Sequence, residues 1–439
     1  MTGLSNKLEE VRRNVRNNVR GALEDKFREW CAAADIRVVS SEDLRADEFV
    51  DESAEGTVNE SAHERKEKDA EENGTLRPWD IVVHDKRLFG RILSHGTLGL
   101  GEAYMDGWWD CEQMDVMFCK AIRAGIERRI EGNFSGWLHE TAFRFLNLQT
   151  RSRAFMAAKH HYNADPALFK AMLDPYMQYS CGYWGQADNL EDAQLAKMEM
   201  ICRKLKLEPG MSVLDIGCGW GGLARYMAEH YQVRVTGITV SDGQLAVARE
   251  NAGELPVEYL LLDYRDLPGS AKFGEKDGSG GRRWDRVVSV GMFEHVGRKN
   301  YDVFLKVARR CLKPDGLFLL HCIGSNGRGC GADPWLTRYI FPNGVLPSTS
   351  VLTKALEGIF VMEDWHNFGA DYSKTLLAWQ ARFHKGCEEG AFACEERLHR
   401  MFDYYLSSCA GAFRARCIQL WQLVLSPEGV PGGYDCRRD

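Results

Sequence analysis

The run Val213-Leu214-Asp215-Ile216-Gly217-Cys218-Gly219-Trp220-Gly221-Gly222 brings an acid to the end of an apolar stretch and follows it with four glycines in six residues. Glycine lets backbone come close to a ligand and take positive φ, so this turn has the makings of a cradle for a nucleotide-like molecule. Its spacing, Gly217-x-Gly219-x-Gly221, is tighter than the dinucleotide pattern G-x-G-x-x-G, and no lysine follows as a phosphate-gripping loop requires. Pyrophosphate and triphosphate ligands therefore rank low. Asp215 instead offers a carboxylate to a cationic amine, and the turn offers a surface along which an adenosyl group can lie. Further along, Thr239, Asp263, Glu294 and His321 stand at or just beyond the ends of apolar runs. Glu294 and His321 are each of a type that can act as a general base.

Positioning these groups takes alternating strands and helices. Strands are predicted at 213–216, 233–239, 257–262, 286–290 and 317–321, with helices starting at Leu223, at Ser241 as N-cap, and at Tyr301. Such alternation predicts an α/β fold, a doubly wound and mainly parallel sheet, preceded by a smaller, mostly helical domain. Ligands of such sheets sit at the carboxyl ends of the strands, where Asp215, Thr239, Asp263, Glu294 and His321 would converge. A glycine turn in that context, with an acid ahead of it, points to S-adenosylmethionine and to a sheet of the class I methyltransferase type. Residues 373–409 read as helical, 332–347 as a structured loop above the site, and 417–425 as a late strand closing the sheet edge.

The chain has 439 residues and a net charge of -7, which argues against nucleic acid as a partner. No apolar run reaches spanning length and the first residues lack an apolar signal core, so a cytoplasmic location is expected. Fourteen cysteines are scattered without metal-ligand spacing, and the expectation is reduced thiols, no disulfide and no metal. Leu4 to Trp30 carries apolar residues at helical spacing with Arg12, Arg13, Arg16 and Arg20 alongside, suited either to an anionic membrane surface or to packing with a solvated face. Residues 40–75 are rich in Asp, Glu, Ser, Asn and Gly and read as a disordered linker. The expected organisation is a charged extension over 1–75, a substrate or lipid-side domain over 76–175 and a cofactor-binding catalytic domain over 176–439. The glycine and aromatic stretch 96–109 fits a lipid-facing surface or a buried turn equally well, and Phe273 to Arg283 reads as an exposed loop.

Taken together, Asp215 to Gly222, Tyr179-Ser180-Cys181, Gly291-Met292-Phe293-Glu294-His295-Val296-Gly297, Leu320-His321-Cys322-Ile323-Gly324, Tyr339 to Gly344, Asp364 to Tyr372 and Cys409-Ala410-Gly411-Ala412-Phe413-Arg414 give the chain a resemblance to the cyclopropane-fatty-acyl-phospholipid synthases. The resemblance covers roughly residues 76–426. It implies transfer of a methylene group from S-adenosylmethionine across a cis double bond of a phospholipid acyl chain, at a membrane surface and as a homodimer. It further implies a bound bicarbonate as the base, with Glu294, His321 and Tyr372 around it and the backbone near Cys181 and Ile323. The family pattern puts Tyr179 and Ser180 over the cofactor, Gly217, Cys218, Gly219, Trp220 and Gly221 at its methionine part, Thr239 and Gln244 at the ribose, and Tyr264 and Arg265 beside the adenine. Asp263 is added from its place at a strand end.

The reaction makes its own demands. A weakly nucleophilic alkene must be held in a dry pocket, and the carbocation that follows can be stabilised by aromatic faces, for which Tyr179, Trp184, Phe293 and Tyr372 are candidates. Cys409 matches the family's long-assigned cysteine, yet no thiolate is needed and a small packing residue is the simpler reading. Likewise, His321 alone would read as a core histidine. Where the family carries His-Tyr-Asp-Leu-Gly-Asn, this chain has His161-Tyr162-Asn163-Ala164-Asp165-Pro166. Competing expectations are a lipid C-methyltransferase giving a methyl-branched or methylidene product, a silent lipid- or cofactor-binding protein, and small-molecule N-methylation.

Overall fold

In a computed structural model, residues 21–47, 75–131, 166–269, 273, 282–327, 330–331, 333–436 and 438 are described. Arg12 to Arg20, His161 to Asp165 and most of the Phe273 to Arg283 loop lie outside the described residues. The chain divides into two units, Met1–Leu138 with Glu396–Ala415, and His139–Glu395 with Arg416–Asp439. The segment Glu396–Ala415 thus groups with the first unit, apart from its neighbours in sequence.

In the first unit, β1 (Val38–Ser40) pairs in parallel with β2 (Ile81–Val83), which pairs antiparallel with β3 (Trp109–Asp110). Ser41–Asp47 is helical where a disordered linker was expected. The helix Arg87–Met105 is broken at Gly96, whose φ of 61° suits glycine. The following stretch is a buried turn: Leu100, Ala103, Tyr104 and Trp109 are all buried, and the Trp109 indole donates to the Leu100 carbonyl at 3.0 Å. Glu396–Arg414 packs on the helix Met114–Arg123, with Gly411 against the Asp115 carbonyl and Phe118.

The second unit is a seven-stranded sheet. Its strands are β4 (Ser212–Ile216), β5 (Arg234–Thr239), β6 (Val257–Leu261), β7 (Trp284–Val290), β8 (Leu312–Ser325), β11 (Val361–Asn367) and β12 (Ile418–Ser426); β9 (Cys330–Gly331) and β10 (Val345–Leu346) form a separate ribbon. The order is β11-β12-β8-β7-β4-β5-β6, parallel except for β11 and β12. The late strand therefore lies inside the sheet, and the edge is β11, whose sequence Val-Met-Glu-Asp-Trp-His-Asn carries too few apolar residues to announce a strand. Helices Tyr301–Cys311 and Thr349–Leu356 cover one face, and Leu190–Lys204, Gly222–Tyr231 and Asp242–Glu250 the other. Burial on both faces explains why β4 is buried throughout and reads as an apolar run.

A disulfide joins Cys387 to Cys394, against the expectation of reduced thiols. The helix Ala370–Glu388 ends there and the chain turns back at Gly390, bringing the two Cα atoms to 5.4 Å. Among the described residues no helix is long and apolar enough to cross a membrane.

Candidate active site

The sheet's order reverses between β4 and β7, and a crevice opens there, at the carboxyl ends of the strands. Asp215 lines it at the end of β4. Burial pushes its carboxyl up to about 7, with Lys197 pulling the other way. The amides of Gly217 and Cys218 both donate to the Ile238 carbonyl, at 2.9 and 3.0 Å, which folds the turn onto β5. Gly219 has a φ of 54° and open space where a Cβ would stand, so its bare backbone faces the crevice. Gly221 does not line it; its Cβ position is blocked by the Tyr259 ring, whose hydroxyl donates to the Gly221 carbonyl at 2.8 Å. Gly217, Cys218 and Trp220 complete this wall.

Thr239 ends β5 and donates to the Gln244 side chain at 3.1 Å; Ser241 caps the helix that carries Gln244. Both line the crevice, as do Asp263, Tyr264 and Arg265 after β6. Asp263 is bound by Arg265, 2.6 Å from its guanidinium, which makes it an anchor for Arg265. The Tyr264 ring packs edge-on to Phe304 in the core, and its buried hydroxyl has no partner among the described residues.

Over the crevice, Tyr179 and Ser180 belong to a segment that is tied down at both ends. Asp174 accepts from the amides of Tyr176 and Gln178 at 2.8 and 2.7 Å. The Thr375 hydroxyl accepts from the Gly182 amide at 3.1 Å and from the Trp184 indole at 2.9 Å. Beneath it, the fully buried Lys197 donates to Ser180 at 3.1 Å and to Gln178, and burial pushes its ammonium down to about 8. Tyr179, Trp379 and Tyr372 follow one another, with ring centroids 5.0 and 6.2 Å apart. Phe293, by contrast, is a core residue stacked on Tyr301 and fully buried.

Glu294 sits in the turn Phe293–His295 after β7. One carboxylate oxygen accepts from the Ile323 amide at 2.6 Å; the other, Oε2, is buried without a partner among the described residues. Burial raises this carboxyl to about 7, opposed by the Ile323 amide. His321 lies two residues before Ile323 on β8, about 7 Å along the strand. Its Nδ1 is 3.2 Å from the Gln422 amide nitrogen, and its Nε2 is buried without a partner among the described residues. Burial, with the charges of Lys197 and Lys204, keeps this imidazole neutral. Cys181 is fully buried and its thiol is pushed far up, so it contributes backbone and no thiolate. Leaving a buried polar atom unpaired costs roughly 1–3 kcal/mol. One buried carboxylate oxygen and one buried imidazole nitrogen, neither paired among the described residues and neither lining the crevice itself, leave two polar atoms that a small polar ligand could satisfy.

Cys409 does not join this group. It stands on Glu396–Arg414 in the other unit, half-buried, and is absent from the crevice lining. The close fit on Met114–Arg123 belongs to the neighbouring Gly411. Sequence reasoning missed His295, which lines the crevice beside Glu294, and the buried Lys197, Lys204 and Gln422. The lysines had a signal: Lys197, Ile201 and Lys204 follow helical spacing on one apolar face.

Residues 149–423 match the family described as mycolic acid cyclopropane synthetase. The chain is 54% identical over 366 residues to the cyclopropane-fatty-acyl-phospholipid synthase of Escherichia coli K12, covering 83% of this chain and 92% of that protein. Among solved structures it is similar to the cyclopropane synthase MmaA2 of Mycobacterium tuberculosis, at 30% identity and a TM-score of 0.56 over 64% of this chain and 99% of that one. It is also similar to the mycolic acid cyclopropane synthase CmaA1 in complex with SAH and CTAB, at 32% identity and a TM-score of 0.53, over 62% and 97% of the two chains.

Proposed function

Because this chain belongs to the mycolic acid cyclopropane synthetase family and is an S-adenosylmethionine-dependent methyltransferase of the cyclopropane-fatty-acyl-phospholipid synthase type, we propose that it builds the ring by methylation followed by proton removal at the Glu294 and His321 site. The observation that carries this is the pair of unpartnered buried atoms, Glu294 Oε2 and His321 Nε2. S-adenosylmethionine when bound supplies an electrophilic methyl to the alkene, and bicarbonate a base for one proton of that methyl, whose loss closes the ring.

This chain's own residues do the holding. Asp215 takes the cofactor's amine, the Gly217–Trp220 turn its methionine part, Thr239 and Gln244 the ribose, and Tyr264 and Arg265 flank the adenine. Tyr179 and Ser180 lie over it, kept in place by Lys197. His321 and Tyr372 donate to the anion, and Glu294, anchored by the Ile323 amide, accepts its hydroxyl proton. Tyr179 and Tyr372, linked through Trp379, offer aromatic faces to a lipid carbocation and exclude water. The acyl chain belongs to a phospholipid in a bilayer, so the enzyme works at the membrane surface, with residues 76–175 as the substrate-side domain, and the family resemblance makes it a homodimer.

The test is incubation with S-adenosylmethionine and vesicles of a cis-monounsaturated phospholipid, with the released fatty acids followed by mass spectrometry and proton NMR. The expected product is one CH₂ heavier with upfield ring protons, formed only when bicarbonate is added to CO₂-depleted buffer. Retained alkene protons at the same mass would replace this reading with methylidene formation. Unchanged rates without bicarbonate would remove the proposed base.

A further inference from the structure

Behind His321 the structure holds a buried polar chain that the reaction scheme does not use. Lys204, at the end of the helix Leu190–Lys204, is fully buried, as is Gln422 on β12. The Lys204 ammonium lies 3.0 Å from Gln422 Oε1, 3.1 Å from His366 Nδ1 and 3.5 Å from the Asp364 carboxylate. Asp364 is also paired with Arg438. An ammonium only donates, so Gln422 must turn its carbonyl oxygen toward Lys204. Its NH₂ is thereby aimed at His321 Nδ1, 3.2 Å away. Chemistry thus decides an amide orientation that is otherwise a matter of assignment. A ring nitrogen that receives a hydrogen bond carries no proton, so the proton of the neutral imidazole resides on Nε2. The Phe368 ring, edge-on at 5.8 Å, holds the imidazole plane.

We propose that Lys204 and Gln422 are positioning residues that fix His321 as the Nε2–H tautomer and so give the anion site its polarity. This rests on the bicarbonate reading above. With Nε2–H in place, His321 joins Tyr372 as a donor opposite the acceptor Glu294 Oε2. That set is complementary to an anion carrying both an oxyanion and a hydroxyl. In the other tautomer His321 and Glu294 would both be acceptors, and an anion would be repelled. A donor-only lysine two hydrogen bonds away from His321 therefore determines what the histidine can bind.

The first experiment needs no variant: the full-length protein, labelled with ¹⁵N-histidine, is studied by long-range ¹H–¹⁵N NMR with His321 assigned by its loss in His321→Ala. The expected spectrum has His321 Nδ1 unprotonated and Nε2 protonated, before any bicarbonate is added. A protonated Nδ1 overturns the proposal. The second uses Gln422→Glu, close in shape, whose carboxylate accepts from both Lys204 and the ring; its fold is checked by circular dichroism and cofactor binding. His321 Nδ1 should then become protonated, and the bicarbonate concentration giving half-maximal rate should rise by about 10–100-fold, the range known for residues that orient metal-binding histidines. The apparent KM for S-adenosylmethionine should not change. If the tautomer and the bicarbonate requirement both stay as in the wild type, the relay is refuted. Should the wild-type enzyme show no bicarbonate dependence while Nδ1 is unprotonated, the base reading fails and the tautomer assignment survives.

Discussion

The crevice should bind S-adenosylmethionine more weakly in acid, and Asp215 should be the reason. Its carboxyl is pushed by burial from the ordinary 3.8 to about 7. Such a rise corresponds to roughly 4 kcal/mol of disfavour for the charged form. The cofactor's ammonium restores the charged form, so protons and cofactor compete for one carboxylate. With binding confined to the ionised form, affinity should be about tenfold weaker at pH 6 than at pH 8, and binding at pH 7 should release about half a proton. Other groups near the crevice titrate differently: burial holds His295 below its usual value and Lys197 at about 8. Glu294 also lies at about 7 but is absent from the crevice lining, and Glu294→Gln separates its contribution. The same linkage acts on folding. The folded protein keeps a proton on Asp215 that the unfolded chain loses above 3.8, so stability without cofactor declines as pH rises from there to about 7. Isothermal titration calorimetry from pH 5.5 to 8, in buffers of different ionisation enthalpy, measures both affinity and proton release. An affinity independent of pH, or an equal slope in Asp215→Asn, would refute the assignment of the amine to Asp215.

Glu294→Gln keeps the shape but removes the acceptor, and cyclopropane formation should fall by about 10²–10⁴-fold with cofactor affinity unchanged, as read by product mass spectrometry and calorimetry. Thr375→Val takes away the oxygen that accepts from Gly182 and Trp184; a loss of about 1–3 kcal/mol is expected in urea denaturation, together with weaker cofactor binding. Cys409→Ser should retain near wild-type turnover in the vesicle assay, since the residue stands outside the crevice.

How much could be read from the residues follows from how local each signal is. The strand β4 was legible because burial on both faces makes it a nearly continuous apolar run. The Ser241 cap and the glycine turn were legible because capping and positive φ are demands of a few adjacent residues. Twelve of the thirteen expected cofactor residues line the crevice; the exception, Gly221, is turned toward Tyr259, a neighbour 38 residues away. The edge strand β11 was not legible, because an edge needs few apolar residues and its pairing with β12 joins distant parts of the chain. Nor was the Cys387–Cys394 bond, which follows from the turn after a helix and not from cysteine spacing.

By itself, then, the sequence determined the parallel α/β sheet, the place of the cofactor turn within it and the identity of the groups able to do chemistry. Tertiary structure decided which of those groups share an environment. It sent Glu396–Arg414, and Cys409 with it, to the first unit, and tied Glu294 to the backbone of β8. It also buried Lys204 against Gln422 and Gln422 against His321, joining three segments that lie far apart in the chain. The physical reason is that periodicity, capping and glycine geometry act over a few residues, whereas burial, charge and proton placement depend on whatever the folded chain brings alongside.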